Sequence, residues 1–228
     1  MSKFRHAAVG VLSLVAVSIS PVLADNASLQ AKLAQIKASI SANQQRLAQY
    51  TWQQTETISV RGDVKDQEQY QVQIGPDGKP QKSLESAPPP AGRPHGIKHH
   101  IEQNYADYAK QIGALAQSYA QPDPGKLQSL YQQGQVVLGS GGAANTVSLI
   151  IHNYVKSGDS VTLVFNRAQE AIVSLNVSTY LSGPSDGVTI AAAFGQLGDG
   201  TNYVANLTVN GSSKSLTVQD VNSNFQKR

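Results

Sequence analysis

One amphipathic stretch, Ile97 to Tyr119, limits more than any other what this chain can fold into. Its large apolar residues, Ile97, Ile101, Tyr105, Tyr108, Ile112, Leu115 and Tyr119, follow one another at steps of three or four. That spacing holds them on one face of a 3.6-residue helix. Lys98, Glu102, Asp107, Lys110 and Gln117 fall on the opposite face. The apolar stripe must be covered, and the segments on both sides of it read as short strands. A helix laid on an antiparallel sheet, an α+β fold, is the arrangement that satisfies both.

The order of elements follows from local signals. Asp25 and Asn26 cap a predicted first helix running to about Ala48, with Leu29, Leu33, Ile36, Ile40 and Leu47 along one side. Its polar side carries only Lys32, Lys37 and Arg46, so core packing fits better than a membrane-surface role. Tyr50 to Val60 and Val64 to Ile74 alternate as strands. A three-residue connection, Gly62 to Val64, would set Trp52 against Ile74, Gln54 against Val72 and Glu56 against Tyr70, with opposite residues sharing a face. The Arg61-Gly62-Asp63 tripeptide is what a hairpin needs there and does not mark an integrin ligand. Gly75-Pro76-Asp77-Gly78 turns the chain into a third strand near Gln81 to Ser86, and a Pro-rich connector at 87–96 leads to the central helix. Asp123-Pro124 opens a short helix through Tyr131, with Gly134 past its end.

From Gln135 onwards the strand-like runs are Val136–Leu138, Thr146–Tyr154, Ser160–Asn166, Ala171–Leu181, Val188–Leu197, Asn202–Val209 and Lys214–Val221. Short Gly-, Asp- and Asn-rich turns separate them, which indicates consecutive hairpins without helical crossovers. Ala171, Val173, Leu175 and Val177 alternate with polar residues, so the predicted sheet has one dry face and one wet one.

The opening residues are expected to be a leader. Lys3, Arg5 and His6 precede an apolar run from Ala7 to Ile19, and Val22-Leu23-Ala24 offers a small-residue cleavage site. Residues 1–24 are therefore read as a signal peptide and 25–228 as a single domain, periplasmic or secreted after cleavage near Ala24, with no integral membrane anchor. Loss of Lys3 and Arg5 takes the formal charge from +3 to about +1, sixteen basic side chains against fifteen acidic. A near-neutral chain has no electrostatic footprint for nucleic acid. With no cysteine in the sequence, disulfides and thiolate metal sites are excluded.

No residue pattern declares a reaction. Gly158-Asp159-Ser160-Val161 approaches a hydrolase motif, but strand-like residues follow the serine and His152 lies upstream. Gly139-Ser140-Gly141-Gly142 lacks the Lys-Ser/Thr pair and the helix of a phosphate loop. His95, His99 and His100 have ligand potential, yet without a nearby carboxylate they read as a wet helix start, and no metal or other cofactor is expected. Asp159, Asp186 and Asp199 adjoin turn glycines, where carboxylates cap local backbone. Glu56 and Glu68 sit on the first hairpin, Glu56 on the same face as Trp52, and a solvent-exposed edge is the expected setting.

Several segments resemble a group of uncharacterised exported bacterial proteins: Tyr50-Thr51-Trp52, Gly75-Pro76-Asp77-Gly78-Lys79, Ser118 to Pro124, Asn153 to Ser160, Asp199 to Tyr203 and Asn222 to Phe225. The order of elements is similar to the LolA-like half-barrels, periplasmic carriers of lipoproteins and lipids. That likeness implies a curved antiparallel sheet wrapped around or packed on two long helices and a short one. It also implies a cavity for a lipid or other hydrophobic ligand, and the missing reaction motifs leave no catalytic residues to name. The candidate wall is Trp52, Tyr70, Tyr108, Ile112, Leu175 and Val177. An envelope module that holds a protein partner is the first alternative and an enzyme of unrecognised type the second. An outer-membrane barrel is disfavoured by the two long helices.

Overall fold

The computed structural model describes residues 41–86, 97–120, 123–168 and 171–228. The predicted leader, most of the first predicted helix and the Pro-rich connector lie outside the described residues. So do the side chains of Ile97 and Ile101 and the histidine trio of the metal question, His95, His99 and His100.

Ten strands form one curved antiparallel sheet that does not close. They are β1 (Tyr50–Val60), β2 (Asp63–Ile74), β3 (Pro80–Ser86), β4 (Val136–Ser140), β5 (Thr146–His152), β6 (Ser160–Asn166), β7 (Ala171–Tyr180), β8 (Gly187–Gln196), β9 (Asn202–Gly211) and β10 (Leu216–Lys227). The helical segments are α1 (41–47), α2 (Ile97–Gln117) and α3 (Pro124–Gln132). The strand order β3-β2-β1-β10-β9-β8-β7-β6-β5-β4 makes two runs of hairpins that meet where the last strand pairs with the first. No helix among the described residues is long and apolar enough to cross a membrane.

The α2 stripe behaves as its spacing dictates. Tyr108, Ile112 and Leu115 are buried, and Tyr119 follows just past the helix end. Ala109 and Ala116 fill the gaps between them, so the helix lies close to the sheet, on β9 and β10. It shares the large core with Val188, Ile190, Leu207, Val209 and Val218 from the alternating positions of the strands. Gly211 is fixed by this packing, because a Cβ there would run into the Tyr108 ring. Asp123 caps α3 by accepting from the N–H groups of Gly125 and Lys126, and Gly134 follows the helix in the left-handed region, as the sequence indicates.

The first hairpin corrects the expected register. Its turn is two residues, Arg61 and Gly62, both at positive φ, and a bulge at Ile58/Ser59 takes up the odd residue. Trp52 therefore faces Val72, Gln54 faces Tyr70 and Glu56 faces Glu68. The slip from the expected pairing is two residues, so each side chain keeps its face. Hydrophobic patterning with a period of two cannot distinguish these registers.

β10 is also longer than its sequence signal. It continues through Asn222–Lys227, polar apart from Phe225, to pair with the start of β1, across a bulge near Trp52 where Asn224 takes a positive φ. β1 is thus an interior strand.

Candidate functional site

β1 buries every second side chain along its whole length, in the order Tyr50, Trp52, Gln54, Glu56, Ile58 and Val60. Its other face is Thr51, Gln53, Thr55, Thr57 and Ser59, half exposed throughout. The buried side belongs to the face on which α2 packs, since Ile58 and Val60 join the large core. At the far end Trp52 joins Leu47 and Val72 in a second, small apolar cluster, with Tyr70, Ile74, Tyr203 and Phe225 packed against it. Between the two apolar groups runs a polar strip.

Strand pairing builds this strip. Glu56 stands between Asp220 on β10 and Glu68 on β2, so three carboxylates line up across three strands. Directly opposite residues on one face have Cβ atoms about 5 Å apart. One row along β1, Gln54 stands between Asn222 and Tyr70. In the other direction Asp66 lies opposite Ile58. The exposures are 4% for Glu56, 6% for Glu68, 1% for Asp220 and 0% for Gln54, so the solvent-exposed edge expected for Glu56 and Glu68 is wrong. The cause is the β1–β10 pairing, which closes over the side where an edge would have been.

Partners are unevenly shared within the strip. Lys82 on β3 donates to Glu56 at 3.1 Å and lies over the Tyr70 ring at 5.1 Å from its centroid. The Tyr70 hydroxyl donates to Glu68. Asp66 accepts from the Gln67 N–H. Asn222 is saturated, accepting from the Trp52 indole N–H at 3.0 Å and donating to the Val204 carbonyl at 2.8 Å. Neither oxygen of Asp220 and neither polar atom of Gln54 has a hydrogen-bond partner among the described residues. Burial raises the Glu56 carboxyl above its ordinary range against the opposing pull of Lys82. Burial likewise pushes the Asp220 carboxyl up to about 8, with Lys82 lowering it and Glu56 raising it.

The aromatic side of the strip is well ordered by stacking. Trp52 and Phe225 stack at 5.5 Å between centroids, and Tyr203 meets Phe225 at 4.3 Å. Of the six candidate wall residues, Trp52 and Tyr70 belong here, whereas Tyr108, Ile112, Leu175 and Val177 belong to the large core beneath α2. The structure therefore distributes them between two places. Sequence reasoning passed over Gln54 and Asp220. The signal for Asp220 was present, since it continues the parity of Leu216 and Val218, which face the core.

The turn aspartates are structural, as their positions beside glycines indicate. Asp159 accepts from the N–H groups of Tyr154, Val155 and Lys156 and from the Tyr119 hydroxyl. Asp186 receives the Tyr108 hydroxyl and Asp199 the Tyr50 hydroxyl, each at 2.7 Å. Tyrosines on or beside α2 thus pin it to two turns. Among the described residues no three Asp, Glu or His side chains converge as a metal-ion ligand set.

No protein-family model matches the chain. No curated protein matches it either. Among solved structures it is similar to a DUF1329 family protein from Desulfovibrio piger, at 10% identity over 82% of this chain and 90% of that one, with a TM-score of 0.42.

Proposed function

We propose that the protein is a non-catalytic binder of an apolar ligand, a lipid or acyl chain, seated at the β1–β3 end of the sheet around Trp52 and Tyr70. The observation carrying this reading is the division of the buried face. α2 and its stripe fill the large core, while the second cluster combines aliphatic and aromatic side chains and is bordered by Gln54 and Asp220, which have no hydrogen-bond partner among the described residues. A few polar groups converging on an apolar wall is the usual make-up of a small-molecule site. Affinity would come from burial, about 0.8 kcal/mol for each CH₂ removed from water, and needs no reacting group. A chain exported by its leader-like opening would meet such ligands in the cell envelope.

Trp52 is the single tryptophan of the sequence, so its emission reports on this site alone. Titration with a long-chain alcohol or a phospholipid monomer below its aggregation threshold should give a saturable change in Trp52 fluorescence. Calorimetry should return the same stoichiometry. Absence of saturable binding by both methods contradicts the proposal.

A further inference from the structure

Resting on that reading, we propose that the ligand carries a cationic headgroup, a primary ammonium, received by Asp220 and Gln54 in the polar strip. The first support is charge. Glu56, Asp66, Glu68 and Asp220 are all nearly solvent-free on neighbouring strands of one face, and Lys82 brings an ammonium to Glu56. A buried carboxylate is stable only when paired or protonated, and Asp220 has no bonded partner among the described residues. The second support is independent of the acids. Gln54, with no exposed surface, presents an unpaired amide to the same face one row along, supplying an acceptor oxygen beside the carboxylates.

The strip already displays how it holds an ammonium. Lys82 combines a carboxylate, Glu56, with the face of an aromatic ring, Tyr70. On the same face, Tyr70 stands one row from Asp220 on β2, and Trp52 two rows along β1 sends its indole N–H to Asn222, the neighbour of Asp220 on that face of β10. An anionic headgroup would have to enter a face on which four carboxyl groups are gathered and whose ammonium, Lys82, already serves Glu56. A metal ion requires converging ligands, and these acids stand in a line along the strand pairing.

Ammonium binding should be linked to proton release. The charged or titratable groups of the strip are Glu56 on β1, Asp66, Glu68 and Tyr70 on β2, Lys82 on β3 and Asp220 on β10. Burial keeps Asp220 protonated up to about pH 8, so the cation must displace that proton, and binding should tighten as pH rises from 6 to 8.

The test compares decylamine, decanol and decanoate by calorimetry on the full mature chain, with Asp220→Asn and Gln54→Leu variants whose folding is verified by thermal melts. The amine should bind about 10- to 100-fold more tightly than the alcohol, the range of one charge-assisted hydrogen bond. That advantage should collapse in Asp220→Asn, shrink in Gln54→Leu and grow from pH 6 to pH 8 in the wild type. Equal binding of all three compounds overturns this inference and leaves the apolar binder standing. Failure of all three overturns the apolar binder, and this inference with it. An amine advantage that survives both substitutions, or that is flat with pH in the wild type, overturns the assignment to Asp220 even if one variant fails to fold.

Discussion

Asp159 and Asp220 are equally buried, each 1% exposed, and they are treated in opposite ways by their surroundings. Asp159 lies in the turn before β6 and receives three backbone N–H groups and a tyrosine hydroxyl, at 2.6 to 2.8 Å. Its charge organises the loop and ties it to the end of α2. Burial and that carboxylate together hold the Tyr119 hydroxyl above the ordinary tyrosine range, so it stays a donor. Asp220 lies mid-strand beside Glu56 and receives no hydrogen bond among the described residues. A buried acid with four donors explains itself through folding. One with none lowers stability, and such groups concentrate where a ligand or a proton is handled.

The comparison is broken or sharpened most strongly at Asp159. Asp159→Ala strands three N–H groups and leaves the Tyr119 hydroxyl with Thr179 alone, and should cost about 3–5 kcal/mol in urea unfolding. A loss below about 1 kcal/mol would mean that water serves the loop as well as the carboxylate does.

Lys82→Met should come next, at about 2–3 kcal/mol near neutral pH, because Glu56 loses the ammonium that offsets its burial. The loss should shrink in acid, where Glu56 is protonated in both states. Unfolding curves at about pH 3 and pH 8 check this difference.

Asp220→Asn should act in the opposite direction. The folded group titrates near 8 and the unfolded one near an ordinary 3.9, so between those values the folded state holds a proton that the unfolded state has lost. Stability therefore falls as pH rises through that window, and removing the titration should restore about 1–3 kcal/mol at pH 8 and little at pH 4. Loss of stability at pH 8 would show that the carboxylate has a favourable partner.

The smallest effect belongs to Lys65→Ala, at the tip of the same first hairpin. The Lys65–Asp63 pair is 3.2 Å long but its side chains are 42% and 78% exposed, so the change should stay within about 0.5 kcal/mol. Chemical denaturation at low and high salt should show no difference larger than that.

Much of this architecture is written locally. The step pattern of α2, the Asp-Pro opening of α3 and the hairpin turns of the later strands each follow from a few adjacent residues. The turn aspartates were legible for the same reason, since a carboxylate beside a turn glycine caps nearby backbone. The polar strip was half legible. Parity put Glu56 beside Trp52, but whether that face is dry depends on β10, more than 150 residues away. The part of β10 that pairs with the Tyr50–Gln54 end of β1, Asn222–Lys227, is polar apart from Phe225, is bulged and has no alternation to reveal it. Long-range partnership of that kind leaves little local signature. The two-residue slip in the first hairpin has a related cause: a period of two fixes the face and leaves the register to the turn and the bulge.

The account turns on whether Asp220 is buried without a compensating partner, and its carboxyl group reports this directly. In protein labelled with ¹³C at aspartate, the Asp220 resonance, assigned by its absence in Asp220→Asn, should titrate with a midpoint near 8 in the ligand-free protein. A midpoint in the ordinary aspartate range, near 4, would contradict the account: it would mean that the strip is hydrated or that Asp220 is paired.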